Sequence, residues 1–271
     1  MTITLHFVRH AQGYHNLCTE NHAIPDPLLT ETGKTQCLTL SQSFPHPEII
    51  THIVASPLRR TLYTALYSFP EAISRGIKVI ALPELQETSP LPCDTGSEPA
   101  ALAEEFEGSV DLGLVTPGWN SKKGRWDSNA PAIEKRARNA RVWLRQLGIQ
   151  AEKEGVQDVQ IVVVTHGGFL HYFTDDWEDS TLFVGTGWSN TEFRSFHFTN
   201  TDHSDHSDAN ASVQETKESR ERRKGTEKPL SREEQTNLRM TAEIGWEKDG
   251  FQQKVKVKDG EGEGREIEVS A

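Results

Sequence analysis

Apolar positions in the first 200 residues fall into short strand-like runs separated by helix-spaced ones. Residues 3–8 place Ile3, Leu5, Phe7 and Val8 in a strand near the start of the chain. Residues 50–55 and 77–81 are two further short runs. Residues 159–164 are almost wholly apolar, the pattern of a strand covered on both faces. Residues 192–198 alternate as a fifth strand. Helical spacing occupies residues 30–43 and 57–67, and most clearly 131–147. There Ile133, Ala137, Ala140, Leu144 and Leu147 form an apolar side, with Arg136, Arg138, Arg141 and Arg145 around it. Strands separated by helices predict an α/β fold, a three-layer α/β/α sandwich around a mostly parallel sheet.

Two stretches break this rhythm. Residues 88–133 are rich in Pro, Gly and acids and read as an irregular excursion. From 201 to 239 the only hydrophobic residues are Ala209, Ala211, Val213, Leu230 and Leu238. Such a stretch buries too little to offset its own ordering, so it is expected to be disordered, partly helical, or draped over the preceding domain. Ser231 with Glu234 reads as a capping box opening a short helix to about residue 240. Residues 254–258 and 266–269 alternate around a Gly-rich turn and suggest a weak hairpin. The expected organisation is a domain over 1–200, a polar segment over 201–239 and a tail over 240–271.

Composition narrows the classes. The chain carries 40 acids and 29 bases, a net charge of -11. That balance argues against nucleic acid and anionic membrane surfaces as partners. No apolar run approaches the roughly 20 residues that span a bilayer. The N-terminal residues have no basic stretch followed by a long apolar one, so no secretory signal is read. Three well-separated cysteines (Cys18, Cys37, Cys93) fit free thiols in a reducing compartment. Cytoplasm or nucleus is the expected location.

The candidate chemistry lies where strands end. The first strand runs into Arg9-His10-Ala11, and residues 161–164 run into Thr165-His166-Gly167-Gly168. Open α/β sheets bind ligands at the carboxyl ends of their strands. Arg9 offers a planar cation for phosphate or carboxylate, and the glycine pair lets backbone approach an anion. Ser56-Pro57-Leu58-Arg59-Arg60 and Leu85-Gln86-Glu87 follow two further strands. Two histidines, arginines and a carboxylate so placed suit phosphoryl transfer without a metal or cofactor. His6, His10 and His15 lack a repeating ligand frame, and His203 and His206 read as part of a solvated linker. Cys93 reads as a small packing residue near the site mouth, and the charged run 220–224 as solvated.

These motifs resemble those of the histidine phosphatase superfamily, in its phosphoglycerate mutase-like branch. Arg9-His10 with Asn16 resembles the first signature, although Ala11 stands where the family usually has glycine. Ser56 with Arg60 and Thr64 resembles the second, Leu85-Gln86-Glu87 the Leu-x-Glu acid motif, and Thr165-His166-Gly167-Gly168 the second histidine signature. All occur in family order over about residues 3–200. The run 187–192 and the segment from Glu215 look most like fungal members of this branch. The resemblance implies that His10 forms a phosphohistidine. It implies that Arg9, Asn16, Arg60, His166 and the Gly167 backbone bind the phosphoryl group. Glu87 rather than Glu84 is then the proton donor, and Arg59 a surface charge. The implied partner is a small-molecule phosphomonoester. A phosphoglycerate mutase and an inactive binding module are the alternatives; the run Thr88 to Pro92 lacks the Gly-rich continuation of mutases. Residues 88–133 are expected to form a lid, net -4, whose Leu91, Leu102, Phe106, Leu112, Leu114, Trp119 and Trp126 wall an apolar leaving group.

Overall fold

The computed structural model describes residues 2–181, 186–200 and 209–255. The chain begins with β1 (Thr2–Arg9), then α1 (Glu31–Ser43), β2 (His52–Ala55), α2 (Arg59–Ser68), α3 (Pro70–Ser74) and β3 (Val79–Ala81). The excursion holds α4 (Pro99–Glu105) and the two-residue β4 (Val110–Asp111). Then come α5 (Ala130–Lys153), β5 (Asp158–Thr165), α6 (Gly167–Thr174), β6 (Phe193–Phe198), β7 (Val213–Glu215), α7 (Lys217–Lys224) and α8 (Arg232–Lys248).

The helix starts follow local chemistry. Thr30 caps α1 by accepting from the Gly33 amide at 3.0 Å. Only glycine fits at 33, because a Cβ there would meet the Gln12 carbonyl oxygen at 2.2 Å. Asn129 caps α5 through the Ala132 amide. Ser231 and Glu234 form the expected capping box, and α8 runs on to Lys248, beyond the expected end.

The sheet order is β4-β3-β2-β5-β1-β6-β7. The pairs among β1 to β5 are parallel; β6 and β7 are antiparallel. The sheet is thus mostly parallel, as expected. Alternate residues of the central strands feed two cores. Leu5, Phe7, Ile161 and Val163 pack with α5, α6 and α8, whereas Val8, Val162 and Val164 pack with α1, α2 and α4. In the central register Arg9 lies opposite Thr165, and Ala55 opposite Val164. The next residues, His10, His166 and Ser56, therefore leave the sheet side by side.

Three expectations need correction. The sheet does not end at residue 200, because β7 pairs with β6 through Phe196, His197 and Phe198. The run 220–224 is not simply solvated: Arg220 is buried and pairs with Glu178, while Arg223 pairs with Glu215 and Asp176. The apolar residues of the excursion mostly serve the core: Leu102, Phe106 and Trp119 are buried there, with Leu112 and Trp126 against them. His203, His206 and all but the first two residues of the suggested hairpin lie outside the described residues. Among the described residues no helix is long and apolar enough to cross a membrane.

Candidate active site

A cleft of about 350 Å³ opens at the carboxyl end of the central strands. Arg9, His10, Asn16 and Glu87 line it, as do His15, Thr88, Ser89, Cys93, Asp94, Gly168 and Thr186. His10 is nearly buried, at 2% exposure. Its Nδ1–H donates to the Ala11 carbonyl at 2.7 Å, which leaves Nε2 bare. Ala11 is held in turn: its amide donates to Thr64 Oγ1 at 3.0 Å.

Arg60 braces the two histidines. Its Nε donates to His10 Nε2 at 3.3 Å and its Nη2 to His166 Nδ1 at 3.0 Å. Nη2 also meets Asp94 at 2.7 Å, and Nη1 donates to the Cys93 carbonyl at 2.6 Å. Asp94 is fixed from its other oxygen by Ser89 at 2.5 Å. With Nδ1 accepting, His166 carries its proton on Nε2 and donates to Ser56 Oγ at 2.9 Å. The His10 and His166 rings are 5.2 Å apart. Arg60 and His166 are wholly buried and stand behind His10 rather than on the cleft wall.

Burial, then the Arg60 charge, holds both His10 and His166 well below the ordinary imidazole range. His15, 5.3 Å from His10, is pushed down to about 2 by burial and then Arg60. The pair His10/His166 is therefore neutral at pH 7.

Glu87 sits against the start of α6. Its carboxylate accepts from the amides of Thr88 at 2.8 Å, Gly168 at 3.2 Å and Phe169 at 2.9 Å. The start of α6 thus meets a carboxyl group of this chain, Glu87. Glycine at 168 lets the Glu87 carboxyl approach, since a Cβ there would meet Glu87 Oε1 at 2.8 Å and push it aside. Gly167 is not among the residues that line the cleft, and a Cβ there would strike Thr186 at 2.2 Å, so it makes room for that side chain. Burial, then Asp94, raises the Glu87 carboxyl above its usual range. The loop carrying it is gripped by Arg136 of α5, which donates to the carbonyls of Glu84 and Gln86. Lys122 donates to the Glu87 carbonyl at 3.1 Å, and burial lowers its ammonium to about 7.

The other candidates sort cleanly. Glu84 is off the cleft wall and pairs with Arg125. Arg59 pairs with Glu105 at 2.8 Å, a partly exposed contact. Asn16 lines the cleft and turns its Oδ1 to the Gly13 amide. Arg9 donates to the Trp188 carbonyl, and its Nε is buried without a partner among the described residues. Of the apolar residues expected to wall a leaving group, Leu91 alone lines this cleft. The sequence pattern does not reveal His15, Asp94 or the second wall, Trp246 and Phe251 after the polar segment. Only His15 carried a signal, its place one residue before Asn16. Cys93 packs at the cleft with its thiol pushed up by burial, and all three cysteines are free.

The model of the histidine phosphatase superfamily (branch 1) matches residues 5–207. No curated protein matches the chain. Similar solved structures include a mycobacterial glucosyl-3-phosphoglycerate phosphatase, 18% identical, covering 79% of this chain and 97% of that one, TM-score 0.47. A phosphoserine phosphatase mutant of Entamoeba histolytica in complex with phosphoserine is 19% identical over 79% and 95%, TM-score 0.44. A phosphoglycerate mutase from Bacillus anthracis is 14% identical over 79% and 92%, TM-score 0.47.

Proposed function

Because the chain belongs to the histidine phosphatase superfamily (branch 1), we propose that it hydrolyses a small-molecule phosphomonoester through a phosphohistidine on His10. The observation that carries this reading is the His10 ring: neutral, locked by the Ala11 carbonyl, with Nε2 free of its own proton. An in-line attack on phosphorus needs that lone pair.

In the resting arrangement Arg60 Nε–H points at this lone pair. Attack requires that N–H to turn from His10 to an oxygen of the incoming phosphoryl group. Arg9 holds the group from the cleft wall and Asn16 offers a neutral donor beside it, while His166, neutral with its one proton given to Ser56, accepts from Arg60 and steadies that guanidinium against the phosphoryl group. Together they offset charge as it spreads over the equatorial oxygens. His10 Nε2 forms the P–N bond while the ester P–O bond breaks. Glu87, its carboxyl raised by burial, gives its proton to the leaving oxygen. The carboxylate then takes a proton from water as that water attacks phosphorus and the P–N bond breaks, releasing phosphate and restoring both groups.

A panel of phosphomonoesters assayed for phosphate in solution tests this, with His10→Ala as control. Released phosphate, an acid-labile phosphoryl adduct on His10 in quenched wild type, and loss of both in His10→Ala are expected. An active His10→Ala protein sinks the mechanism. Phosphate retained on an isomerised substrate makes the protein a mutase.

A further inference from the structure

The cleft changes character from its buried to its exposed end. At the buried end stand Arg9, His10 and Glu87. At the exposed end stand Leu17, which is 54% exposed, and His22, both from the short helical turns after β1. Facing them are Trp246, in the last turn of α8, and Phe251, just beyond it. The Phe251 and His22 rings meet edge to face at 5.8 Å. The segment beyond α8 thus reaches across to the segment after β1.

This second wall is anchored rather than loosely laid on. Trp246 packs on Trp177 at 5.8 Å and His171 at 6.0 Å. The Phe251 amide donates to the Trp246 carbonyl at 2.8 Å. Gln252 is buried and accepts from the Tyr172 hydroxyl at 3.0 Å, and the Gln253 amide donates to the Ser128 carbonyl. The rings are therefore held at the mouth by bonds to the domain on either side.

Charge points the same way. Among the described lining residues Arg9 is the sole Lys or Arg, and Glu87 and Asp94 are acids. Among the described residues a second phosphate on the substrate finds no Lys or Arg at the exposed end, and a flat apolar group finds rings and Leu17. The volume leaves room beside the phosphoryl group for a leaving group of roughly ring size.

We propose that Trp246 and Phe251, with His22 and Leu17 opposite, are the specificity wall of the site and select a monophosphate whose leaving group is uncharged and aromatic or apolar. This rests on the phosphatase reading and names the substrate class for it. The wall belongs to the segment after residue 240, not to the excursion 88–133.

The full chain is tested with phenethyl phosphate against glycerol phosphate, both alkyl esters, so the ratio of kcat/KM reports the wall and not leaving-group acidity. Binding of phenethyl phosphonate against methyl phosphonate, by calorimetry, reports the same selectivity without turnover. Phe251→Ala is expected to lower both ratios by about tenfold, the usual scale for one aromatic contact in an apolar slot. Ile244→Ser, on the exposed side of the same helix, leaves both ratios unchanged. Leu17→Arg, at an exposed position that does not threaten the fold, is expected to raise kcat/KM for bisphosphoglycerate relative to glycerol phosphate several-fold. A binding ratio unmoved by Phe251→Ala, or no gain from Leu17→Arg, overturns the wall. Phosphonate selectivity that depends on Phe251 in a wild type releasing no phosphate overturns the phosphatase reading alone.

Discussion

Arg60 is shared among His10, His166, Asp94 and the Cys93 carbonyl, so each of these positions depends on one guanidinium. Among the described residues Asp94 is its only carboxylate contact, at 2.7 Å with both side chains almost wholly buried. Asp94→Ala strands that charge and is expected to cost about 3–5 kcal/mol, read as a lower unfolding midpoint in denaturant. Asp94→Asn keeps an acceptor and should cost less; equal losses would show that the carboxylate charge is irrelevant. A second prediction concerns pH. His10 is held well below 6.5 by burial and Arg60, so it stays the free base as pH falls through the usual imidazole range. The acid limb of kcat/KM is expected below pH 6.5, and a limb centred at 6.5 or above removes His10 as the group reported. Arg9, His10, Arg60, Glu87 and His166 were legible as candidates because each lies in a recognisable string at or shortly after the end of a strand. Asp94 was counted only as a lid acid, since nothing local says that a loop residue will meet an arginine from another helix. Arg60 was legible as a candidate but not as a brace, because its burial behind His10 is set by the registers of β1 and β2 against β5.

Elements with a clear hydrophobic period were legible: α1, α2, α5 and β5 begin and end within a few residues of expectation, apart from the longer C-terminal end of α5. Strands β4 and β7 were not, because β4 is two residues long and β7 carries a single apolar residue, Val213. The polar segment misled for a different reason. It stabilises itself through ion pairs from α7 to Asp176, Glu178 and Asp179, and by lending β7 to an edge, neither of which needs apolar residues. Pattern alone would let a chain ending at residue 200 keep its chemistry. With β6 left unpaired on one side and Tyr172 and Trp177 uncovered, such a chain is instead expected to unfold at a clearly lower temperature than the full chain; an unchanged melting curve would restore the shorter domain. Ser231→Ala removes the cap that accepts the Glu234 amide and is expected to cost α8 about 1 kcal/mol. Faster amide exchange confined to α8 is the check, and slow exchange there would mean that packing of Trp246 alone holds the helix.

At the scale of the whole molecule, buried imidazoles set the response to acid. His6, His10, His15, His52, His166 and His171 all titrate lower than free imidazole, each mainly through burial. The unfolded chain binds their protons first, so stability falls as pH drops below about 6.5. Glu87 and Asp26, raised chiefly by burial, act in the opposite sense, gaining protons in the folded state before the unfolded one. Lys122, lowered to about 7, acts in the sense of the histidines, so a lower melting temperature is expected at pH 5.5 than at 7.5, and a rise on acidification would show that the raised carboxyls dominate. The three-layer architecture and the gathering of the candidate residues at the strand ends were legible from pattern alone; closure of the cleft by α8 was not, because it joins residues remote in sequence. That closure has a consequence for the order of events at the ribosome. Synthesis runs from the N-terminus, at about 5–20 residues per second. His10, Arg60, Glu87 and His166 are all made well before Phe251 meets His22. For several seconds the nascent chain can assemble the surroundings of His10 behind an unfinished mouth, and the proposed specificity wall arrives last.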